Sequence, residues 1–466
     1  MARPAITPID QERPFDFNEL FFSTTDPKGV ILSGNQVFVR VSGYNTVEEL
    51  IGKPHNVIRH PDMPRAIFKL LWEYLGERKP FIGYVKNLAT DGCYYWVMAL
   101  VVPTQGGFFS VRFKPSGSYF DLARDLYAEL LAIERGAGDW REGMQAAGER
   151  LSALLTELGF ANYSEFMNTA LASEMAGRRA RQGTTAGDAT PLPSGDKQGK
   201  LASTLQSCHA VDRQLDDLCA RVESFLDLIR KLEEKSAYLC DLSKNVRLVS
   251  INALTASYRL NQAGRGLAIV THELATVSER STNIIGELTA QTLVLTSALR
   301  ETAAHATGAK LQVEMTIFFA TELLRMENHE GVADSSLNRA RADLLTLEDS
   351  FARSIARMLA ALPRAQEPII PLLQLRDRLI ESLRLLSSVH ISGKIQATHL
   401  AEAGHFHELF DQIFAQLHVA QKELQELSGG LLFLTDQLPD LERAGRFIQQ
   451  SLGDLQAFDS TQLKAA

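Results

Sequence analysis

The stretch that most narrows the fold is a hairpin signature. Asp91-Gly92 sits between one apolar run over 81–88 and another over 94–102. Aspartate–glycine supports the left-handed two-residue turn whose twist matches paired strands, so the two runs are predicted to pair antiparallel. Gly106-Gly107 marks a second turn before a third strand over 108–114. Ahead of this trio, 21–25 and 30–32 read as short strands around the turn Asp26-Pro27-Lys28-Gly29. Helical pieces are predicted over 36–41 and 66–75, with a short helix between them opened by the capping box Thr46 to Glu49.

Between the helices lies the polar loop Asn56-Val57-Ile58-Arg59-His60-Pro61-Asp62-Met63-Pro64. Its prolines block helix continuation and bias their predecessors toward extended backbone. A rigid loop holding a guanidinium and an imidazole can grip an anion, with the nearby carboxylate orienting either group. The same residues also suit a surface turn whose charges stay hydrated.

After Pro115 the pattern turns helical for the rest of the chain. Helices are predicted over 119–134, 144–158 and 163–175, the last behind the N-cap pair Asn162 and Glu165. The stretch 182–199 is a flexible linker by composition. A heptad seam then runs through positions 211, 215, 218, 222, 225, 229, 232, 236, 239, 243 and 246. A second seam runs from Leu267 to Ala298, with Ala263-Gly264-Arg265-Gly266 between them. Two seams flanking a glycine turn make an antiparallel hairpin, and its apolar stripe needs a partner, for which a homodimeric four-helix bundle is the economical answer. Further helices are predicted over 313–326, 337–362, 368–386, 399–427 and 431–455, with Gly429-Gly430 and Pro439 as breaks. The expected parts are a tail 1–14, a sensor domain 15–118, a helical connector 119–181, the linker 182–199, a hairpin 200–305 and a helical region 306–466.

Two strands, small helices and a three-strand antiparallel run are the layout of a PAS domain. Asp26-x-x-Gly29, Val41-Ser42-Gly43-Tyr44, Leu50-Ile51-Gly52, Asn56 through Pro64, Val85-Lys86-Asn87, Asp91-Gly92-x-Tyr94-Tyr95-Trp96 and Val111-Arg112-x-Lys114-Pro115 together resemble the flavin-binding PAS domain of bacterial aerotaxis receptors. The resemblance implies FAD held non-covalently, with Arg59, His60 and Asp62 contributing to the cofactor site and Asn87 and Trp96 facing the ring from the sheet. Where that family usually carries a tryptophan, this chain has Phe81. The fold class expected is therefore an α+β PAS domain followed by an all-α region.

The hairpin resembles the cytoplasmic tip of methyl-accepting chemotaxis proteins through Asn252, Arg259, Gly264, Arg265, Gly266, Ala268, Val270 and Glu273. That resemblance implies tip contacts to the chemotaxis kinase CheA and the coupling protein CheW. Two positions depart from the pattern: a family glutamate is Ala256 here, and Tyr258 enters the alanine-rich stretch. No methylation segment of paired Glu and Gln is recognisable.

Composition excludes several classes. The 466 residues carry a net charge of −8 with both signs well mixed, so nucleic acid is not an expected partner. The longest apolar runs, such as 96–102, fall far short of the roughly 18–20 residues that cross a bilayer. No secretory signal opens the chain, and a cytoplasmic location is expected. The four cysteines form no Cys-x-x-Cys pair, and no metal site is expected. His399, His405 and His407 share a helix but fall on different faces. Thr271-His272-Glu273-Leu274 superficially resembles a histidine-kinase phosphoacceptor box, but no ATP-binding region follows, so the chain is not expected to be an enzyme. The function expected is a redox or oxygen sensor of the aerotaxis and chemotaxis class, with FAD as cofactor and haem on His60 as an alternative. The competing expectation is a cofactor-free PAS interaction or scaffold module that no longer couples to the kinase.

Overall fold

A computed structural model describes residues 6–182, 196–260, 262, 264–329, 333–398 and 404–462. The chain divides into two compact units, the first made of 1–216, 304–357 and 448–466, the second of 217–303 and 358–447.

The first unit is built on a five-stranded antiparallel sheet of order β2-β1-β5-β4-β3. Its strands are β1 (Leu20–Thr25), β2 (Ile31–Gly34), β3 (Phe81–Leu88), β4 (Tyr94–Pro103) and β5 (Phe108–Phe113). The β3–β4 hairpin closes through the three-residue turn Thr90-Asp91-Gly92, with the Gly92 amide donating to the Ala89 carbonyl and Gly92, not Asp91, taking positive φ, in place of the expected left-handed two-residue turn. One face of the sheet is covered by α1 (Gln36–Ser42), α2 (Arg65–Gly76) and the loop between them. The other carries a core of Phe22, Met98, Leu100, Val102, Phe109, Val111 and Phe113. Against that core pack α3 (Ser118–Gly136), α4 (Trp140–Glu157), α5 (Tyr163–Gln182), the end of α7 (Arg265–Glu327) and α8 (Asp334–Ala361). Burial on both faces explains why β4 reads as a continuous apolar run instead of alternating.

Buried carboxylates tie these helices to the sheet. Glu174 of α5 accepts from the Ser116 and Gly117 amides at 2.8 and 2.9 Å and from the Tyr84 hydroxyl at 3.0 Å. Glu322 of α7 accepts from the Gln36 amide and from Asn35 Nδ2, at the start of α1. Asn162 and Glu165 form the expected reciprocal cap at α5: Asn162 Oδ1 accepts from the Glu165 amide and the Glu165 carboxylate from the Ala161 amide. The capping box at Thr46 does not form. Val47–Glu49 is a single 3-10 turn, too short to present orphan amides to the threonine, whose side chain makes no cap bond.

The second unit is a four-helix bundle. It contains parts of α6 (Asp196–Arg259) and α7, together with α9 (Ile369–Thr398) and the part of α10 (Gly404–Gln462) up to residue 447. Every seam position expected on α6 is buried. Ser243 and Ser278 exchange hydroxyl-to-carbonyl hydrogen bonds between α6 and α7. Ser281 of α7 meets Ser382 of α9 at 2.7 Å, and Arg378 pairs with Glu287. Lys394 of α9 pairs with Asp411 of α10. Lys235 of α6 pairs with Glu423 and Glu426 of α10, and Arg221 with Asp440. The contacts run around the square α6–α7–α9–α10 with neighbours antiparallel. Within this chain the first hairpin packs against the chain's own second hairpin, α9 and α10.

Two helix boundaries differ from expectation. Gly429, Gly430 and Pro439 lie inside the single helix α10. A Cβ at Gly430 would stand 2.8 Å from Leu232 Cδ2, so this glycine lets α10 approach α6 closely instead of ending the helix. The linker expected over 182–199 lies mostly outside the described residues, and α6 already begins at Asp196. Of the turn between the seams, Ala263 lies outside them as well. Residues 9–13, expected as part of a tail, hydrogen-bond along the start of β4 through Ile9, Gln11 and Arg13.

Candidate functional site

Strand register decides which side chains meet. Lys86 pairs with Trp96 and Asn87 with Tyr95 across β3–β4, while Ala99 pairs with Arg112 and Val101 with Ser110 across β4–β5. Ser23 faces Ser110 across β1–β5. Alternation then places Ser23, Asn87, Ala99, Val101, Ser110 and Arg112 on the α1–α2 side of the sheet. There they border a cavity of about 230 Å³, closed by Phe68, Leu71, Trp72 and Leu75 of α2 and by His55, Asn56 and Arg59 of the loop.

The loop is held by β3. Residues His55–Ile58 form a 3-10 turn after Pro54, Arg59 bridges to Asn87, and the His60 amide donates to the Lys86 carbonyl. Arg59 donates to the Met63 carbonyl at 3.1 Å and lies 3.8 Å over the Phe68 ring. Glu134 of α3 accepts from the Arg65 and Ala66 amides, capping α2 at its positive end.

The cavity's electrostatics are one-sided. Lys28, Arg59 and Arg112 line it, and among the described residues no carboxylate does. Arg112 is 4% exposed. Its Nη2 lies 3.0 Å from Ser23 Oγ and 2.7 Å from His55 Nε2. Burial pulls the guanidinium down to about 10. Burial first, and then the Arg112 charge, hold the His55 imidazole well below its usual range, so His55 is neutral and Nε2 accepts from Arg112. Three buried polar atoms on this wall have no hydrogen-bond partner among the described residues: Asn87 Nδ2, Ser110 Oγ and Arg112 Nη1.

Of the residues expected at a cofactor, Arg59 and Asn87 border the cavity and three do not. His60 is buried beside the loop, its Nδ1 accepting from the Asp62 amide at 3.1 Å, and it borders an outer groove. Asp62 points away and pairs with Lys86 at 3.1 Å and Arg135 at 2.9 Å. Partial burial works to raise its pKa, but the hydrogen bonds from Lys86 and Arg135 outweigh it and the carboxyl lies below its usual value. Trp96 shares the opposite face with Lys86 and packs against Phe120 at 5.4 Å. One residue of alternation separates it from the cavity. Sequence reasoning missed His55, Ser110 and Arg112 as site residues, although two polar residues alternating with Phe109, Val111 and Phe113 in β5 were a visible signal.

The outer groove, of about 950 Å³, shares Arg59, Phe68 and Trp72 with the cavity's lining and carries Arg65, Lys69 and Trp140 on its walls. At the hairpin end of the bundle, Asn252, Arg259, Arg265 and Glu273 are exposed. Gly264 is buried with no room for a side chain, since a Cβ would meet the Ser257 carbonyl, and Gly266 packs beside Gln396 of α9. Of the three histidines on the predicted helix, His399 lies outside the described residues.

Comparison with known proteins agrees with this architecture at the N-terminus. An aerotaxis receptor of Escherichia coli K12 is 38% identical over 136 residues, 28% of this chain and 26% of the receptor. A nitrogen fixation regulatory protein of Klebsiella pneumoniae is 31% identical over 81 residues, 17% of this chain and 16% of that protein. The chain thus spans about a quarter or less of the length of these relatives. Among solved structures, a PAS domain from Colwellia psychrerythraea aligns with 20% of this chain and 85% of its own at 21% identity and a TM-score of 0.19. A light-oxygen-voltage domain studied with a flavin analogue aligns with 23% of this chain and 83% of its own at 18% identity and a TM-score of 0.21. Residues 31–107 match the PAS fold, and the chain carries a PAS domain of the kind found in an aerotaxis receptor, followed by a long helical region.

Proposed function

We propose that the chain is a signalling sensor of the aerotaxis and chemotaxis type, whose PAS domain holds a flavin, FAD by resemblance, and responds to redox or oxygen status. One observation carries this reading: three residues lining a cavity with three cations on its wall each hold a buried polar atom without a hydrogen-bond partner among the described residues. A buried polar group left unsatisfied costs about 1–3 kcal/mol, so three on one wall call for a ligand with a polar edge. Asn87, Ser110 and Arg112 would hold the edge of the flavin ring, between the apolar walls given by Phe68, Leu71 and Val101. The cavity is smaller than the roughly 300–1,000 Å³ of common ligand sites, which suits the ring alone. The remainder of a dinucleotide would leave past Arg59 and Trp72 into the outer groove, beside Arg65 and Lys69.

A bound flavin supplies a reversible change of electron count and charge at a fixed place. The chain's part is to register that change. Phe22, on the far face of the sheet, meets Phe319 of α7 edge-on at 4.9 Å, and Glu322 of the same helix holds the start of α1. A shift in the sheet therefore biases α7, which belongs in part to both units. We assign the exposed Asn252, Arg259 and Glu273 to contact with CheA or CheW, and the chain to the cytoplasm. Among the described residues no helix is long and apolar enough to cross a membrane, which accords with that location. Catalysis has no part in this reading.

The small cavity favours a second reading, a cofactor-free PAS interaction module. Absorption of the purified protein, before and after incubation with FAD, separates the two: flavin bands support the sensor, and a protein that stays colourless supports the module.

A further inference from the structure

We propose that Arg112 makes this cavity selective for the anionic form of its ligand, so that a flavin bound there is held more tightly when reduced and negatively charged than when oxidised and neutral. The inference rests on the flavin reading and adds what the cavity does to the flavin.

Three observations carry it. First, Arg112 is 4% exposed and borders the cavity, and its Nη1 has no hydrogen-bond partner among the described residues. Second, among the described residues no aspartate or glutamate lines the cavity, whereas two further cations, Lys28 and Arg59, do. Third, the contacts on the other side of the guanidinium are neutral. Nη2 reaches Ser23 Oγ and His55 Nε2, and the Phe21 and Phe38 rings lie 5.9 and 5.5 Å away. A buried charge normally carries a counter-charge, because removing an ion from water costs several kcal/mol. Here the protein gives Arg112 neutral partners and leaves Nη1 with none, on a side chain that borders the cavity, so the missing negative charge is assigned to the ligand.

The balance is explicit. Oxidised flavin plus two electrons from a chemical reductant and one proton from solvent gives the anionic reduced form. A neutral reduced form would take up a second proton, and beside Arg112 that proton stays in solvent. Tighter binding of the reduced form raises the midpoint potential by linkage, and each tenfold preference is worth about 30 mV in a two-electron couple.

The test is a redox titration of the full-length, flavin-loaded protein with dithionite between pH 5 and 8, for wild type, Arg112→Gln and Arg112→Lys. In wild type the midpoint is expected to move by about 30 mV per pH unit, one proton per two electrons, down to a lower pH than for free flavin. Arg112→Gln is expected to lower the midpoint at pH 7 by about 30 mV, a tenfold loss of preference, and to move the change of slope to higher pH. Arg112→Lys, which keeps the charge, is expected to retain most of both effects. A yellow Arg112→Gln protein with unchanged midpoint and slope overturns the inference and leaves the flavin reading standing. A wild type that takes up two protons per two electrons at pH 7 overturns it without any variant. A wild type that takes up no flavin overturns both.

Discussion

Arg112 and His55 touch across the wall of the PAS cavity, Nη2 to Nε2 at 2.7 Å, with no carboxylate on either. The pair costs folding energy in the free protein, since a charge and an imidazole are both taken from water with hydrogen bonds to neutral groups but no counter-charge on the cavity wall. Such a cost persists where binding offsets it. Arg112→Met is therefore expected to leave the thermal stability of the ligand-free protein unchanged or higher. The same substitution should remove most of the stabilisation that added FAD gives to wild type. Thermal unfolding with and without FAD checks both halves, and an equal FAD-induced rise in the variant would contradict the role of Arg112.

Asp343 of α8 gives a pH signature. Burial raises its carboxyl to about 6, against weaker opposing effects of a hydrogen bond with Ser33 and of Arg339. The folded state then binds the proton more tightly than the unfolded chain, so stability falls as pH rises from about 4 to about 6 and is level above. Asp343→Asn should remove that slope and stabilise the protein at pH 7 by roughly 1–3 kcal/mol. Urea unfolding at pH 4.5 and 7 reads the difference, and parallel losses in wild type and variant would contradict it.

Glu174 joins α5 to the segment after β5 and to Tyr84 by four hydrogen bonds, from the Ser116 amide and hydroxyl, the Gly117 amide and the Tyr84 hydroxyl, while 1% exposed. Glu174→Ala strands two backbone amides and a tyrosine hydroxyl, at about 1–3 kcal/mol for each buried group left unmade. A loss of about 3 kcal/mol or more in chemical denaturation is expected. A loss below about 1 kcal/mol would mean that water reaches these groups.

The cis-closed bundle is tested by a crosslink. Ser281 and Ser382, on α7 and α9, have hydroxyls 2.7 Å apart. With the native cysteines replaced by serine, Ser281→Cys with Ser382→Cys is expected to oxidise to an intrachain disulfide that migrates as a monomer on a non-reducing gel. A dimer band would show that the second hairpin comes from another chain.

How much of this was legible in the sequence follows from what each signal reports. The Asp91-Gly92 signal and the runs beside it predicted β3 as observed, because a tight turn leaves the register little freedom, although the turn itself takes three residues, Thr90 to Gly92. The same register takes Trp96 off the cavity face. Counting from Asn87 through the turn places Tyr95, not Trp96, on the cavity face. His60 and Asp62 sit in the loop that the motif marked, but as fasteners to β3 and α3, a distinction that composition does not carry. The heptad seams told which faces of α6 and α7 are buried, and not against what. A stripe that needs a partner reads the same whether the partner is a second chain or α9 and α10. Gly429 and Pro439 looked like breaks because local propensity is outweighed where packing against α6 holds α10 straight through them.

The central claim is that the PAS cavity holds a flavin, and the visible absorption spectrum of the protein as isolated tests it most directly. The account predicts flavin bands that bleach reversibly on anaerobic reduction, and that weaken when Asn87→Leu removes a donor from the wall. A colourless protein that gains no bands after incubation with FAD would contradict it.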